Sequence, residues 1–176
     1  MEKITHELSD FKVIYNKQKR KCFIIKDIIV SAAGVMLKNN TNFLLQKYTD
    51  EEYLKNHGDY VYADFGGKTD NCDNDVYETV IRETSEESNG KLKISKQMLH
   101  KAEKYYFKNS KYLLFVVNTK NSYSKVIYKM GTSESHDKIP RVVGWYSTNI
   151  LQEYHPRLRE YFKVYSNISS PSANTS

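Results

Sequence analysis

The chain has 176 residues and a formal net charge of +6, and its 39% hydrophobic and 27% charged residues are typical of one globular domain with a buried core. This composition argues against a disordered chain, and the lack of any apolar run near roughly 20 residues argues against a membrane-spanning helix. The N-terminus lacks the apolar segment of a secretory signal, and Cys22 and Cys72 are too few for a disulfide framework or a zinc site, so we expect a cytoplasmic protein.

The first predicted elements are strands joined by a turn. Residues 1–21 form a mixed N-terminal extension, and residues 22–38 are strongly β-like with a break at Asp27. The Asn-Asn-Thr sequence at 39–41 predicts a turn that returns the chain into a partner strand at residues 42–48. We therefore expect a hairpin ahead of the acidic part of the chain.

A strand, a glycine pair and a helix follow this hairpin. Residues 49–59 are expected to form a polar loop, and residues 60–65 a short strand that ends at Gly66-Gly67. Residues 75–88 have the spacing of a helix, because apolar or small residues recur every fourth position. That stripe is Val76, Val80 and Thr84. The predicted caps are Asp75 with Glu78 at the N-terminus and Asn89 with Gly90 at the C-terminus.

The C-terminal half alternates helices and strands. The predicted elements are a helix at 95–102, a hairpin of strands at 104–108 and 111–119, a strand at 142–147, a helix at 156–165 and a disordered tail at 166–176. Interleaved helices and strands that include antiparallel hairpins predict a mixed sheet covered by helices, an α/β or α+β layered domain.

The predicted central helix carries three glutamates on one face. Glu83, Glu86 and Glu87 lie within one turn of each other, and such like charges raise one another's pKa. Arg82 is the sole basic residue from position 70 to position 89. A divalent cation relieves the repulsion, and carboxylate oxygens suit Mg²⁺ or Mn²⁺. The alternative is a solvated acidic face in which Arg82 pairs with Glu78 or Glu86.

This stretch resembles the signature of the Nudix hydrolases, G-x5-E-x7-R-E-U-x-E-E-x-G-U with U aliphatic. Gly67 matches the first glycine, Arg82-Glu83 the R-E pair and Glu86-Glu87 the E-E pair at the family's spacing. The preceding hairpin and the strand at 142–147 also resemble this family, so the resemblance spans residues 22–165. It implies an α/β/α sandwich with a mixed central sheet.

The loop after the glycines departs from the family pattern. Asp73 stands where the family has glutamate, and eight residues rather than seven separate it from Arg82. Asp73 or Asp75 replaces that glutamate, whose role in the family is a salt bridge to the arginine, and Glu78 is a third candidate. Asn89 takes the place of the last glycine, which asparagine does well because it tolerates the left-handed conformation. None of these changes removes a metal ligand.

The resemblance implies metal-dependent hydrolysis of a diphosphate linkage in a nucleoside diphosphate derivative, which gives a nucleoside monophosphate and a second phosphorylated product. Glu83, Glu86, Glu87 and the carbonyl of Gly66 are then the ligands of Mg²⁺ or Mn²⁺. Arg82 orients Glu83, and Glu86 or Glu83 activates the attacking water. The alternative function is a non-catalytic Nudix-fold module that binds nucleotide or RNA.

Several assignments stay open at this point. Glu134, with Asp137 second, is the candidate for a distal loop base, against the alternative of plain loop charges. Lys68 either contacts a phosphate or is solvated. The substrate is a nucleotide or another phosphate-rich small molecule: a nucleoside triphosphate, an ADP-ribose-like sugar, a dinucleoside polyphosphate, a diphosphoinositol polyphosphate or capped RNA. A membrane partner is not expected, and the sequence leaves the oligomeric state open, a homodimer included.

Overall fold

The computed structural model of the chain describes residues 1–57, 60–133, 138–147 and 153–168. The strands in these ranges are β1 Glu2–Ile4, β2 Lys12–Tyr15, β3 Lys21–Ile25, β4 Ile28–Val30, β5 Ala32–Asn39, β6 Asn42–Tyr48, β7 Tyr62–Ala63, β8 Phe65–Lys68, β9 Glu103–Phe107, β10 Tyr112–Asn118 and β11 Arg141–Ser147. The helices are α1 Glu51–His57, α2 Val76–Glu87, α3 Lys96–Lys101, α4 Ser124–Met130 and α5 Pro156–Ile168.

A mixed sheet forms the centre of the fold. Its main path runs β1-β9-β10-β5-β6-β11, with β7 paired to β6 and β8 paired to β5. The pairing of β10 with β5 is parallel, and the other pairings in this sheet are antiparallel. Strands β2, β3 and β4 form a separate antiparallel sheet. The predicted mixed sheet with flanking helices is therefore confirmed.

Two hydrophobic cores lie on the opposite faces of the central sheet. Successive side chains of a strand point to opposite faces, and along β10 Phe115 belongs to one core while Leu114 and Val116 belong to the other. Helices α2, α3 and α4 contribute to the first core, and α5 contributes to the second. Strands β5 and β10 are buried on both faces, which explains their long apolar runs.

Most predicted elements are confirmed. Strand β3 ends at Ile25 and β4 begins at Ile28, so the break expected at Asp27 is a turn. The hairpin of β5 and β6, helices α2 and α3, the hairpin of β9 and β10, and strand β11 lie where the sequence placed them. Helix α5 begins at the predicted residue but continues to Ile168, past the predicted end at 165 and into the segment expected to be a disordered tail. Helix α4 had no sequence prediction.

Two predictions in the region before α2 are wrong. Residues 49–59 were expected to be a loop, but they contain α1, whose first turn is acidic and whose start is capped by Asp50 Oδ1 at 2.7 Å from the Tyr53 N–H. The single strand expected at residues 60–65 is divided at Asp64 into β7, which pairs with β6, and β8, which runs through both glycines to Lys68. Strand β8 does so because it pairs along its whole length with β5.

The N-terminal residues contribute strands to both sheets. Strand β1 pairs with β9 at the edge of the central sheet, and β2 pairs with β3 in the small sheet.

Among the described helices, none has both the length and the apolar character that a bilayer crossing requires.

Candidate active site

Helix α2 begins and ends at the predicted caps. Asp75 Oδ1 accepts the Glu78 N–H at 2.9 Å, and Glu78 Oε2 accepts the Asn74 N–H at 2.9 Å. The return bond therefore reaches the residue before the cap rather than the cap itself. Lys96 lies 2.9 Å from both acidic side chains and ties α3 to this end of α2. At the other end Asn89 and the glycine after it adopt positive φ angles of 51° and 69°.

The apolar stripe of α2 determines which way its glutamates point. Val76, Val80 and Thr84 are fully buried beneath the helix. Because residues three and four apart share a face, packing of this stripe directs Glu83 and Glu87 toward β8. There the Gly66 N–H donates a hydrogen bond to Glu87 Oε2 at 2.7 Å. The N–H and C=O of one residue in an antiparallel strand point to the same edge, so the Gly66 carbonyl shares the edge of β8 that Glu87 contacts.

Each glycine of β8 makes room for a side chain that approaches the strand from a different face of the sheet. A side chain at Gly67 would overlap the carboxylate of Glu83, on the α2 face. A side chain at Gly66 would overlap the Cα of Gly34 and the hydroxyl of Tyr112, on the α5 face. The glycine pair therefore lets Glu83 approach the strand from one side and Tyr112 from the other.

These overlaps predict different consequences for alanine at the two positions. We expect Gly66→Ala to lower the free energy of unfolding by about 2 kcal/mol or more, because the clash involves backbone that does not move aside. Gly67→Ala should lower it by less than about 1 kcal/mol, since Glu83 is flexible and swings away. Urea unfolding of both variants measures this difference. Equal losses would contradict the assignment of one glycine to each face.

Arg82 joins the loop, the helix and the strand. Its Nε and Nη2 contact Asp73 Oδ1 and Oδ2 at 3.0 and 3.1 Å, and Nη2 also donates to the Lys68 carbonyl at 2.9 Å. Its Nη1 contacts Glu83 Oε1 at 2.8 Å and Glu86 Oε2 at 3.2 Å. Burial opposes the charge on Arg82, but the bonds to Asp73 and Glu83 outweigh it and raise the arginine's pKa.

Asp73 is the carboxylate that pairs with this arginine through two bonds. The alternatives Asp75 and Glu78 are bound to Lys96 instead. Asp73 is 2% exposed and also accepts hydrogen bonds from the Asp70 N–H and from Thr79 Oγ1, each at 2.8 Å. The loop is one residue longer than the family pattern, and a shorter aspartate side chain from this longer loop reaches the guanidinium.

Loss of the Asp73 carboxylate should destabilise the protein in a pH-dependent way. Burial raises the pKa of Asp73, but the hydrogen bonds from Arg82 and its neighbours lower it more, so the folded-state pKa lies below 3.8. The extra stability is therefore present above about pH 4 and is lost as the pH falls through the folded-state pKa. We expect Asp73→Asn to lower the free energy of unfolding by about 1–3 kcal/mol at pH 7.

Urea unfolding of the wild type and Asp73→Asn at pH 7, 4 and 3 measures this dependence. The difference between the two proteins should shrink below pH 4, because the unfolded wild type then takes up a proton on Asp73 that the folded wild type resists. Asp70→Asn is a matched control on the same loop, since the Asp70 carboxylate is exposed and contacts the neighbouring Cys72 N–H at 3.0 Å. A difference that stays constant from pH 7 to pH 3 would exclude the ion pair as its source.

The structure brings most of the sequence-predicted site residues together. Glu83 and Glu87 lie at the edge of β8, against Gly67 and Gly66, and Glu86 is joined to them through Arg82. The Lys68 carbonyl is at this edge, but its side chain lies on the opposite face of β8 from Gly67, because side chains alternate along a strand. The candidate loop bases Glu134 and Asp137 lie outside the described residues.

The glutamate carboxylates and the Gly66 carbonyl are oxygen donors that suit a hard cation, but their positions do not form a complete coordination site. Within the described ranges no three His, Cys, Asp or Glu side chains are arranged to hold a metal ion. Arg82 explains this, because its guanidinium draws Glu83 and Glu86 toward itself. Carboxylate oxygens and a backbone carbonyl remain the donors that Mg²⁺ and Mn²⁺ prefer.

A buried polar network lies on the face of β8 that points away from α2, and the sequence analysis did not predict it. Asp64, just before β8, has a fully buried side chain and accepts from the Tyr112 hydroxyl at 2.6 Å. Arg157 of α5 donates to Asp64 Oδ1 from Nε at 3.0 Å and from Nη2 at 2.6 Å. Its guanidinium also lies 4.1 Å from the centre of the Tyr112 ring. This network joins α5 and β10 to the strand that carries Gly66.

His155 completes this network as an uncharged neighbour. Its Nε2 lies 3.0 Å from Arg157 Nη1. Burial and the positive charge of Arg157 lower the pKa of His155 to about 4, so its ring is neutral at pH 7 and accepts from the guanidinium. Burial likewise raises the pKa of Tyr112, which keeps its hydroxyl protonated as a donor to Asp64. The sole sequence signal for this network was an aspartate inside an apolar strand, YVYADF.

The chain is similar to solved structures of other proteins, but its sequence matches no known family. No family model and no curated protein matches the chain. Among solved structures, an Ap4A hydrolase from C. elegans is similar, with 20% identity, coverage of 79% of this chain and 96% of that chain, and a TM-score of 0.43. A NUDIX hydrolase from Nitrosomonas europaea is 12% identical, with 78% and 89% coverage and a TM-score of 0.43. Similarity at this level assigns no activity to the chain.

Proposed function

We propose that the chain is a Nudix-type hydrolase that uses Mg²⁺ or Mn²⁺ to cleave a diphosphate linkage in a nucleoside diphosphate derivative. The products are a nucleoside monophosphate and a second phosphorylated compound. The observation that carries the proposal is the placement of Glu83 and Glu87 against the glycines of β8, with Arg82 bridging Asp73, Glu83 and Glu86. If the acidic face served solubility alone, the ion pair of Arg82 with buried Asp73 and the contact of Glu87 with Gly66 would have no purpose.

Each residue of this site has a separate task in the proposed reaction. Glu83, Glu86, Glu87 and the Gly66 carbonyl hold the ion, which when bound neutralises phosphate charge and acidifies water. Arg82 and Asp73 fix the orientation of the Glu83 carboxylate. Glu86 or Glu83 takes the proton of the attacking water, and Glu134 remains a further candidate for this base. Water attacks one phosphorus, the bridging P–O bond breaks, and the leaving phosphate keeps the bond's electrons.

The proposed substrate class is phosphate-rich. A net charge of +6 favours anionic ligands in general. The candidates are nucleoside triphosphates, ADP-ribose-like sugars, dinucleoside polyphosphates, diphosphoinositol polyphosphates and capped RNA. Lys68, the residue after the glycine pair, is the proposed phosphate contact, and its exposed side chain suits that role.

A panel of these compounds tests the proposal. The wild type and Glu86→Gln are incubated with each compound in Mg²⁺, in Mn²⁺ and in excess EDTA, and the products are separated by chromatography. We expect the wild type with metal to release a nucleoside monophosphate, or inorganic phosphate from a diphosphoinositol compound. Equal activity in both proteins would exclude the assigned site, and activity in EDTA would exclude the metal.

A non-catalytic binding module is the second candidate function. The observation that favours it is the pairing of Arg82 with Glu83 and Glu86, which leaves the described carboxylates without a metal-ready arrangement. The same panel separates the two candidates. Nucleotide or RNA binding by the wild type, without cleavage of any compound in either metal, would support the module.

A further inference from the structure

A cavity of about 420 Å³ lies beside the glycine strand, on the side where the small sheet meets the large one. It is bounded by the turn between β2 and β3 and by the adjoining ends of β5 and β8. The polar residues that line it are Asn16, Gln18, Arg20, Ser31, Lys68 and Ser110. Its volume is within the range of small-molecule sites in proteins.

The lining of this cavity is positively charged. Arg20 and Lys68 contribute two cations, and none of the described residues lining it is an aspartate or a glutamate. Neither side chain forms an ion pair or hydrogen bond with the part of the chain that the structure describes. A second cavity shares the wall at Asn16 and adds Lys17 and Lys111. Cations that have no counter-charge among the described residues, beside neutral hydrogen-bonding side chains, favour an anionic ligand.

The turn that carries Arg20 is held in a defined conformation. Asn16 Oδ1 accepts the N–H groups of Gln18 and Arg20, each at 3.0 Å, and the Asn16 N–H donates to the Arg20 carbonyl at 2.9 Å. Lys21, next in the chain, donates from Nζ to the carbonyls of Asn71 and Asp73 at 2.7 Å. These bonds fix the turn to the loop before α2.

Lys68 connects the cavity with the proposed site of cleavage. Its side chain lines the cavity, while its carbonyl accepts the Arg82 Nη2 bond at 2.9 Å. It also follows directly after Gly67, whose Cα faces Glu83. Lys68 therefore belongs both to the lining of the cavity and to the strand whose Gly67 faces Glu83.

We propose that this cavity binds the phosphate chain of the substrate beyond the cleaved linkage, with Arg20 and Lys68 as its cationic contacts. This inference rests on the proposed function and narrows it to substrates with a polyphosphate chain. Arg20 is then a specificity-determining residue that the acidic motif does not contain. Asn16, Gln18 and Ser31 supply neutral donors around the chain.

Binding of inorganic tripolyphosphate without divalent metal tests the cavity apart from catalysis. Isothermal titration calorimetry compares the wild type, Arg20→Gln, Lys68→Gln and the double variant. Lys12→Gln is the matched control, because Lys12 is an exposed cation on the same small sheet that does not line the cavity. We expect about tenfold weaker binding in each single variant, at least about fiftyfold in the double variant, and a change of less than twofold in the control.

Kinetics and a second ligand separate the alternatives. With a cleaved substrate, Arg20→Gln should raise KM for a compound with a long phosphate chain and leave KM unchanged for one with a single phosphate beyond the linkage. Tripolyphosphate binding that is equal in the wild type and Arg20→Gln would overturn the proposal. Weakened binding of a 5′-phosphorylated oligonucleotide, with unchanged tripolyphosphate binding, would also overturn it in favour of a nucleic-acid surface.

The results that would disprove the phosphate subsite differ from those that would disprove the hydrolase activity. If the wild type binds tripolyphosphate through Arg20 but cleaves no compound in the panel, the cavity is an anion site and the proposed hydrolase is wrong. If the wild type cleaves a substrate and Arg20→Gln matches it in tripolyphosphate affinity and in KM, the hydrolase stands and the subsite is wrong. Thermal unfolding midpoints show that each variant is folded.

Discussion

Replacement of Glu86 with glutamine is expected to reduce kcat about a thousandfold, which corresponds to roughly 4 kcal/mol of lost transition-state stabilisation. Glutamine keeps the size of the side chain but removes the negative charge, so it neither holds the ion strongly nor accepts a proton from water. The fold should be unaffected, because 31% of the Glu86 side chain is exposed and its described contact is the ion pair with Arg82. Steady-state kinetics in saturating Mn²⁺ or Mg²⁺ measure the loss.

The matched control for this variant is Glu52→Gln, which removes one exposed carboxylate from the first turn of α1. We expect it to retain the wild-type kcat and the wild-type unfolding midpoint. Glu86→Gln should also weaken Mn²⁺ binding by about tenfold or more, a measurement that does not depend on turnover. Full activity of Glu86→Gln would remove this residue from the catalytic set and favour Glu83 as the base.

Replacement of Arg157 with methionine is expected to lower the free energy of unfolding by about 3–5 kcal/mol at pH 7. The variant leaves the Asp64 carboxylate buried without the cation that contacts it at 2.6 Å. It also removes the guanidinium from the face of the Tyr112 ring. Urea unfolding followed by circular dichroism measures the loss.

Two further variants establish the cause of this loss. Lys163→Met is the matched control, since it removes an exposed cation from the same helix, and it should change stability by less than about 0.5 kcal/mol. Adding Asp64→Asn to Arg157→Met should restore part of the stability, because no unpaired charge then stays buried. A loss below about 1 kcal/mol in Arg157→Met would show that the pair is not needed to hold α5 on the sheet.

The main parts of the fold and of the acidic site follow from local patterns in the sequence. Helical periodicity predicts both that Val76, Val80 and Thr84 are buried and that the glutamates converge on one side of α2. The caps at both ends of this helix were predicted from residues within one turn of the ends. Helix α1 was missed although Asp50 and the two glutamates after it gave a local start signal, because the polar segment was assigned to a loop.

Tertiary pairing decided the features that local patterns left open or hid. Strand β8 runs through Gly66 and Gly67 because β5 supplies its hydrogen-bond partners, which outweighs the weak strand propensity of glycine. The sequence left Asp73, Asp75 and Glu78 as alternative partners of Arg82. In the folded chain Lys96 on α3 forms ion pairs with Asp75 and Glu78, so Asp73 is the one of the three that pairs with Arg82.

The network of Asp64 with Arg157 and the cavity beside Lys68 depended wholly on the tertiary structure. Asp64 and Arg157 are 93 residues apart in the chain, and Arg20 lies in a turn of the small sheet while Lys68 lies on β8 of the large sheet. Sequence periodicity acts over a few residues and determines which side of an element is buried. The order of strands in the sheet and the packing of α5 determine which distant side chains meet, and these are properties of the whole folded chain.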